Sequence, residues 1–318
     1  MDGDKDETMR GLHHVTAISG KPTRNLDFYT RTLGLRLVKR TVNFDDPGTY
    51  HFYYGDEAGS PGTILTFFPW EHASPGRGGL GLAQTTAFRV PARSIGYWTH
   101  RLIEKGVKHE ALTKRFGEPV LSFSDSDGMS LALVGIAGAE GQAAWSTGDI
   151  PAEHAIRGFH GVTLMLDAAA PTGAILADVL GFTEARREGP HVGYRANDGI
   201  GGVVDIREAR GFLAGRMGRG SVHHVAFRAA DDAEQADMAR KLVKSHGVHP
   251  TGQKDRQYFR SVYFREPGGV LFEIATDQPG FTIDEPLASL GQNLKLPPFL
   301  EPRRKELEAV LPSLELVA

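Results

Sequence analysis

The chain has 318 residues, a formal net charge of −3 and a sequence pI of about 6.5, so its charge gives no reason to expect nucleic acid or a membrane as partner. No apolar run is long enough to span a bilayer, and the acidic start MDGDKDETMR is unlike a signal peptide. The sequence contains no cysteine, which excludes disulfides and thiolate metal sites. A cytoplasmic protein is expected, and any metal site must use His, Asp and Glu.

One short strand pattern recurs along the chain. GLHHVTAI (11–18), GFHGVTLM (158–165) and SVHHVAFR (221–228) share it, and QTTAFRVP (84–91) is a degenerate copy. Each copy is short and rich in β-branched residues, which predicts a β-strand. Four related strands in one chain indicate an internal repeat.

A helical segment follows each of these strands and ends at a glycine. The four segments are RNLDFYTRTLG, SIGYWTHRLIEKG, PTGAILADVLG and DAEQADMARKLVKSHG. In the second segment, Ile95, Trp98 and Leu102 form one apolar stripe at helical spacing. The final glycines stand where helices commonly end in a left-handed residue. They are Gly34, Gly106, Gly181 and Gly247.

Two or three further strands follow each helix, and the last of them begins after a glycine-containing turn. The repeating unit is therefore βαβββ, and four units predict an α+β fold of two pseudo-symmetric, half-open β-barrel domains. We expect units one and two in residues 1–136, a linker at 137–156, units three and four in 157–279, and a C-terminal tail with a helix in 280–318.

Alignment of the four copies identifies three candidate metal ligands. His14 and His224 coincide in the first strands, where the third copy has Gly161. In the last strands, aligned on their Pro-Gly turns, Glu273 coincides with Phe67. Two histidines and one carboxylate form the triad that holds non-haem Fe(II) and leaves coordination positions open. The sequence therefore predicts one metal site between units one and four.

The middle units are predicted to be structural. They offer Gly161 and Leu133 at the matching positions, and Asp205 lies one residue out of alignment. His160 is the alternative to His14 as a ligand. His51 is expected to belong to a core strand rather than to the site.

A histidine precedes each of the two candidate histidine ligands on the same strand. Adjacent residues of a strand point to opposite faces, so at most one histidine of each pair is expected to face a given pocket. His13 and His223 are therefore expected either to pack outside the barrel or to support the ligands from behind.

Long stretches of the chain resemble the vicinal oxygen chelate superfamily, which includes glyoxalases, bleomycin-resistance proteins and extradiol dioxygenases. The segments 33–70, 157–164, 223–227 and 258–281 are similar in particular to ring-cleaving dioxygenases of the hydroquinone type. The resemblance extends over nearly the whole chain. It implies an Fe(II) ion. Mn(II) is the alternative, because the same ligands suit both metals.

The same resemblance implies roles for individual residues. It assigns the metal to His14, His224 and Glu273, the three residues that the repeat alignment identifies. It also places four further residues near the pocket. These are His13, His223, Tyr263, which lies ten residues before the glutamate, and Arg256, which lies seven residues before the tyrosine.

Four residues are thus candidates for catalysis. Tyr263, His223 and His13 are candidates for moving protons to and from the substrate. Arg256 is a candidate for holding the far hydroxyl or stabilising developing negative charge.

The predicted function is an Fe(II)-dependent ring-cleaving dioxygenase that inserts O₂ into a hydroquinone-like aromatic diol, with a homo-oligomer as the expected assembly. A glyoxalase-type isomerase is one alternative, but it generally needs a further ligand where Phe67 is expected to stand. A non-catalytic drug-binding resistance protein is the other alternative. Such a protein needs no intact triad and is usually one two-unit chain.

Overall fold

The computed structural model describes residues 10–314. The strands of the first two units are β1 (Leu12–Ser19), β2 (Arg36–Asn43), β3 (Asp46–Gly55), β4 (Ile64–Pro69), β5 (Leu82–Pro91), β6 (Thr113–Arg115), β7 (Glu118–Ser124) and β8 (Ser130–Ile136). Those of the last two units are β9 (Phe159–Leu166), β10 (Thr183–Glu188), β11 (His191–Arg195), β12 (Val203–Glu208), β13 (Ser221–Ala229), β14 (Lys254–Asp255), β15 (Phe259–Arg265) and β16 (Leu271–Pro279).

The helices follow the predicted positions. They are α1 (Pro22–Asp27), α2 (Ile95–Glu104), α3 (Ala170–Asp178), α4 (Asp232–His246) and α5 (Arg304–Val310). The first helix continues as a π-helical turn over Phe28–Thr32. The four glycines predicted to end these helices all have positive φ, between 63° and 76°. The apolar stripe predicted for α2 is buried.

The strands form two eight-stranded sheets, which confirms the α+β fold of βαβββ units. The first sheet has the order β14-β15-β16-β13-β1-β4-β3-β2, and we call it the outer-unit sheet because units one and four build it. The second has the order β10-β11-β12-β9-β5-β8-β7-β6, and we call it the middle-unit sheet. Each sheet combines one unit that precedes residues 137–156 with one unit that follows them. The predicted division of the chain into residues 1–136 and 157–279 therefore does not match the division into sheets. These domain boundaries stay a prediction.

The two sheets share an apolar core, to which Phe67 and Phe227 contribute from one sheet and Phe88 and Phe159 from the other. The tail beyond β16 is held by a buried ion pair. Lys39 is fully buried on β2, and its ammonium lies 2.6 Å from the carboxylates of both Asp284 and Glu285. Within residues 10–314, no helix is long and apolar enough to cross a membrane.

Candidate metal centre

Three buried side chains from neighbouring strands converge in the outer-unit sheet. His14 lies on β1, His224 on the adjacent β13, and Glu273 on β16, which pairs with β13. The Nε2 atoms of the two histidines are 3.3 Å apart. Glu273 Oε2 lies 3.2 Å from the Nε2 of His14 and 2.9 Å from that of His224. Each of the three residues is at most 5% exposed, and together they could hold a metal ion.

One oxygen of this group has no hydrogen-bond partner. Glu273 Oε1 accepts a hydrogen bond from Ser261 Oγ, but Oε2 makes none to any residue in 10–314, although it is buried. Burial alone would raise the pKa of Glu273, but the facing imidazoles of His14 and His224 hold it well below its ordinary value. A buried carboxylate is costly unless it meets a cation. Two imidazole nitrogens and this free oxygen therefore fit a divalent metal ion.

Each candidate ligand is in contact with the histidine that precedes it. The Nδ1 atoms of His13 and His14 are 2.9 Å apart, and those of His223 and His224 are 2.8 Å apart. A ligand that uses Nε2 for a metal carries its proton on Nδ1, so the preceding histidine accepts that proton's hydrogen bond and must be neutral. Burial, assisted by the adjacent imidazole, lowers the pKa of His13 well below 6.5 and that of His223 to about 3.

Two β-bulges explain how adjacent histidines come into contact. The ladder between β1 and β13 skips one residue at His13 and one at His223. At a bulge, the extra side chain does not follow the regular alternation between the two faces of the sheet, so it points in a different direction. His223 consequently lines the same cavity as His224, whereas His13 lines a smaller cavity behind Phe259. The expectation that only one histidine of a pair faces a given pocket is wrong for His223 and His224, because it assumed a regular ladder.

A cavity of about 410 Å³ opens beside the converging side chains, and His14 and His224 line it. Its walls include the aromatic side chains of Phe44, Phe68, Trp70 and Phe259. Polar groups line it as well, among them Asn43, Asp45, Asp46, Lys254 and Arg256. Apolar walls with a few placed polar groups are typical of a small-molecule site. These four aromatic residues were not predicted from the sequence, because they come from three separate segments of the chain.

Tyr263 and Arg256 both lie at this cavity. Arg256 Nε donates to the hydroxyl of Tyr263 at 3.2 Å, and its terminal nitrogen donates to Asp45 across the cavity mouth at 3.0 Å. Burial and the nearby Glu273 carboxylate raise the pKa of Tyr263. The pKa of Arg256 is raised as well, since Tyr263 and Asp45 outweigh its burial. Tyr263 is therefore protonated and Arg256 charged at neutral pH.

The strand pairing corrects the predicted fourth corner of the site. The symmetric ladder between β1 and β13 makes Thr16 the counterpart of Ala226. Ala226 pairs with Glu273, and Thr16 pairs with Thr66, so Thr66 is the counterpart of the glutamate. Phe67 lies one residue further along, in the apolar core. The prediction of Phe67 was wrong because the turn before β16 is one residue longer than the turn before β4.

His51 also lies elsewhere than predicted. It lines the cavity, and its Nε2 is 2.8 Å from Thr66 Oγ1. Its Nδ1 is 3.0 Å from the hydroxyl of Tyr53, another cavity residue. The expectation of a simple core strand was wrong because β3 is an inner strand of a half-open barrel, with one face towards the cavity. The spacing that it shares with Ser261 and Tyr263 of the fourth unit was the available signal.

His160, the alternative ligand, lies in the middle-unit sheet. Its Nε2 is 3.6 Å from Glu118, and burial together with nearby arginines lowers its pKa to about 3. It stands on β9, beside Gly161, whereas His14 stands on β1 in the outer-unit sheet. The structure thus brings His14, and not His160, together with the other two candidate ligands.

Comparison with known proteins agrees with the fold. A family model described as the glyoxalase/bleomycin resistance protein/dioxygenase superfamily matches residues 11–133 and 159–274. A Bacillus subtilis protein named "Putative ring-cleaving dioxygenase MhqO" is 45% identical over 299 residues, which cover 94% of each chain. The "Chlorohydroquinone/hydroquinone 1,2-dioxygenase" of Sphingobium indicum is 34% identical over 310 residues, which cover 95% of each chain.

A solved structure gives the same result. The crystal structure described as a "putative dioxygenase" from Bacillus subtilis matches with a TM-score of 0.92 at 44% identity. The match covers 97% of this chain and 98% of that one. The resemblance inferred from the sequence is confirmed, and the chain belongs to the glyoxalase/bleomycin resistance protein/dioxygenase superfamily.

Proposed function

We propose that the protein is an Fe(II)-dependent, extradiol-type ring-cleaving dioxygenase that inserts O₂ into a hydroquinone-like aromatic diol. The observation that carries the proposal is the convergence of His14, His224 and Glu273 beneath an aromatic-lined cavity, with Thr66 at the remaining corner. The names of its relatives support it, including a hydroquinone dioxygenase at 34% identity.

The proposed metal ligands are the Nε2 atoms of His14 and His224 and Oε2 of Glu273. A bound Fe(II) would supply adjacent positions for a phenol and O₂, and a residual positive charge that lowers the pKa of the phenol. Mn(II) suits the same donors. His13 and His223 position the ligands by accepting hydrogen bonds from their Nδ1–H groups.

The cavity suits one aromatic ring with hydroxyl groups at two positions. Phe68, Trp70 and Phe259 offer apolar faces on which a ring can pack. Arg256 and Lys254 line the same cavity and offer charged donors to a hydroxyl away from the metal ligands. A diol bound in this way has one oxygen at the three ligands and the other at the cationic groups.

Tyr263 and Arg256 are proposed to act together on the substrate. The raised pKa of Tyr263 keeps its hydroxyl protonated, so it can donate a hydrogen bond to an oxygen that becomes negative. Arg256 holds that hydroxyl and adds a positive charge beside it. His223 lines the cavity and is neutral. Because its Nδ1 accepts the hydrogen bond from His224, its own proton is on Nε2, and it is a candidate for donating that proton to a substrate oxygen.

Thr66 weighs against a glyoxalase-type isomerase, because its hydroxyl stands where a fourth ligand, a second carboxylate or a glutamine, would be expected. The three converging ligands weigh against a purely binding role. A cytoplasmic location and a homo-oligomer remain predictions from the sequence.

The proposal is tested by loading the protein with Fe(II) without oxygen, adding hydroquinone and then admitting air. We expect consumption of O₂ and a ring-opened product detected by its ultraviolet absorbance and by mass spectrometry. Loading with Mn(II) in parallel separates the two metals. Failure to consume O₂ with hydroquinone, catechol or resorcinol would rule out the dioxygenase.

A further inference from the structure

A chain of four polar side chains runs along the first-unit wall of the cavity. Thr16 Oγ1 lies 2.8 Å from Thr66 Oγ1, which lies 2.8 Å from Nε2 of His51. Nδ1 of His51 lies 3.0 Å from the hydroxyl of Tyr53. Three of the four side chains line the cavity, and Thr66 joins them from behind. The function proposed above gives none of these residues a role as a metal ligand or in proton transfer.

One end of this chain lies at the candidate metal ligands. Thr16 follows His14 by two residues on β1 and pairs in register with His224 on β13. Its hydroxyl therefore borders the place where a hydroxyl bound at the ligands would lie. Tyr53, at the other end, is on β3.

These four hydrogen-bonded side chains lie at the corner of the site where the fourth unit supplies Glu273 and the first unit has Thr66 instead of a ligand. Tyr53 pairs with Thr66 across β3 and β4, as Tyr263 pairs with Glu273 across β15 and β16. In the fourth unit this arrangement ends in a carboxylate directed at the other ligands. In the first unit it ends in a threonine hydroxyl bonded to His51. The same backbone position thus carries a proton-exchanging group instead of a ligand.

We propose that Thr16, Thr66, His51 and Tyr53 form a proton relay, which carries the proton of a substrate hydroxyl bound at the ligands to water in the cavity beside Tyr53, a buried residue that lines it. This inference rests on the proposed function, since it concerns the ionisation of the same diol. Every member of the relay can accept one proton while it gives up another.

The proton transfers balance along the chain. The substrate O–H bond breaks, and its proton binds the oxygen of Thr16. The proton of Thr16 moves to Thr66, and the proton of Thr66 moves to Nε2 of His51. The Nδ1 proton of His51 moves to the Tyr53 oxygen, and the original Tyr53 proton passes to water. Each hydroxyl again holds one proton, the imidazole is neutral in its other tautomer, and the substrate has become an aryloxide.

The surroundings of His51 and Tyr53 favour transfer over storage of the proton. Burial, and then the nearby His14 and His224, lower the pKa of His51 well below its ordinary value. Burial raises the pKa of Tyr53. An imidazolium and a tyrosinate are therefore both costly, so neither residue retains the charge.

Four variants and rapid mixing test the relay without turnover. Protein loaded with Zn(II) is mixed with hydroquinone in the absence of oxygen, and the ultraviolet absorbance of the ionised diol is followed in time. His51→Gln keeps amide hydrogen bonds to both neighbours but cannot exchange protons, and Thr66→Val removes one hydroxyl. We expect both to slow ionisation by about a hundredfold. Thr66→Ser retains the hydroxyl and should ionise the diol at close to the wild-type rate, and His100→Gln on the surface of α2 is the matched histidine control.

Zinc content and circular dichroism verify that each variant is folded and loaded. Ionisation by His51→Gln at the wild-type rate would overturn the relay, as would equal slowing by Thr66→Ser and Thr66→Val, because only a structural contact would then remain. An absence of ionisation in the wild type would overturn it too. Normal ionisation on zinc without O₂ uptake on iron would instead contradict the dioxygenase and leave the relay supported.

Discussion

The outer-unit and middle-unit sheets have the same topology, but only the outer-unit sheet brings three candidate ligands together. The ladder between β5 and β9 repeats the ladder between β1 and β13, including bulges at the counterparts of His13 and His223. The residues that stand in the middle-unit sheet for His14, His224, Glu273 and Thr66 are Thr85, Gly161, Asp205 and Ala132. Of the three candidate ligands, only the carboxylate has a counterpart of the same kind. The two sheets share this backbone arrangement, so the candidate metal centre depends on which side chains stand at these positions.

In the middle-unit sheet, closely packed backbone and charged side chains fill the space that corresponds to the cavity of the outer-unit sheet. A Cβ atom at Gly161 would lie 2.2 Å from the carbonyl oxygen of Val203, so no ligand side chain fits there. Arg186 lies 3.2 Å from Glu118 at this cavity, and only about 20 Å³ remains free. Asp205 is buried among these groups. This sheet contributes a packed charge cluster, whereas the outer-unit sheet retains an open cavity.

Removal of a ligand histidine tests the comparison most strongly. We expect His14→Ala to lose bound metal and all O₂ uptake, because two remaining donors hold a divalent ion poorly. His160→Ala in the middle-unit sheet should retain both. Metal content after dialysis and O₂ uptake with hydroquinone measure the effects. Loss of metal from His160→Ala but not from His14→Ala would place the site in the other sheet.

A second test copies the fourth unit into the first. The double variant Thr66→Glu with His51→Ser reproduces the pair formed by Glu273 and Ser261. The introduced glutamate would be a second carboxylate and a fourth ligand, and it would fill a coordination position that the proposed reaction needs open. We expect slower loss of metal to a chelator and no O₂ uptake. His51→Ser alone is the control and should lose metal at the wild-type rate. Undiminished O₂ uptake by the double variant would show that this corner is not part of the site.

The arrangement of units could be predicted because it depends on local patterns. Strand and helix periodicity, with a glycine after each helix, repeats four times and needs no knowledge of register. The candidate ligands His14, His224 and Glu273 were identified from residue type at equivalent positions. The roles of Thr66 and His51 depend on ladder register and on which face of a strand meets the cavity. A bulge or one extra turn residue alters these without a local signal.

Asp205 provides a test of the charge cluster in the middle-unit sheet. Burial raises its pKa from 3.8 to about 6, although the neighbouring arginines oppose the change. A raised carboxyl pKa means that the ionised form destabilises the folded state above pH 6, and that this cost fades as pH falls towards 4. We expect Asp205→Asn to raise the free energy of unfolding by about 3 kcal/mol at pH 7.5 and about 1 kcal/mol at pH 4.5.

Urea denaturation of metal-free protein at both pH values measures this difference. Asp237→Asn, on the exposed face of α4, is the matched control and should change stability little. A destabilised Asp205→Asn at pH 7.5 would show that the arginines hold an ionised carboxylate, and that the cluster stabilises the sheet.

The smallest expected effect concerns His13 and His223, the two histidines at the β-bulges of the outer-unit sheet. Gln84 is the counterpart of His13 and His223 in the second unit. A glutamine at either position still offers an oxygen to the ligand's Nδ1 proton, but it holds the ring less firmly than an imidazole. We expect His13→Gln and His223→Gln each to weaken metal binding by about tenfold, the lower limit for loss of such a contact. Competition with a chromogenic chelator measures the affinity. Because the two contacts differ by only 0.1 Å and are related by the pseudo-symmetry, the two losses should be equal; a loss from one variant alone would mean that the two halves of the site hold the metal differently.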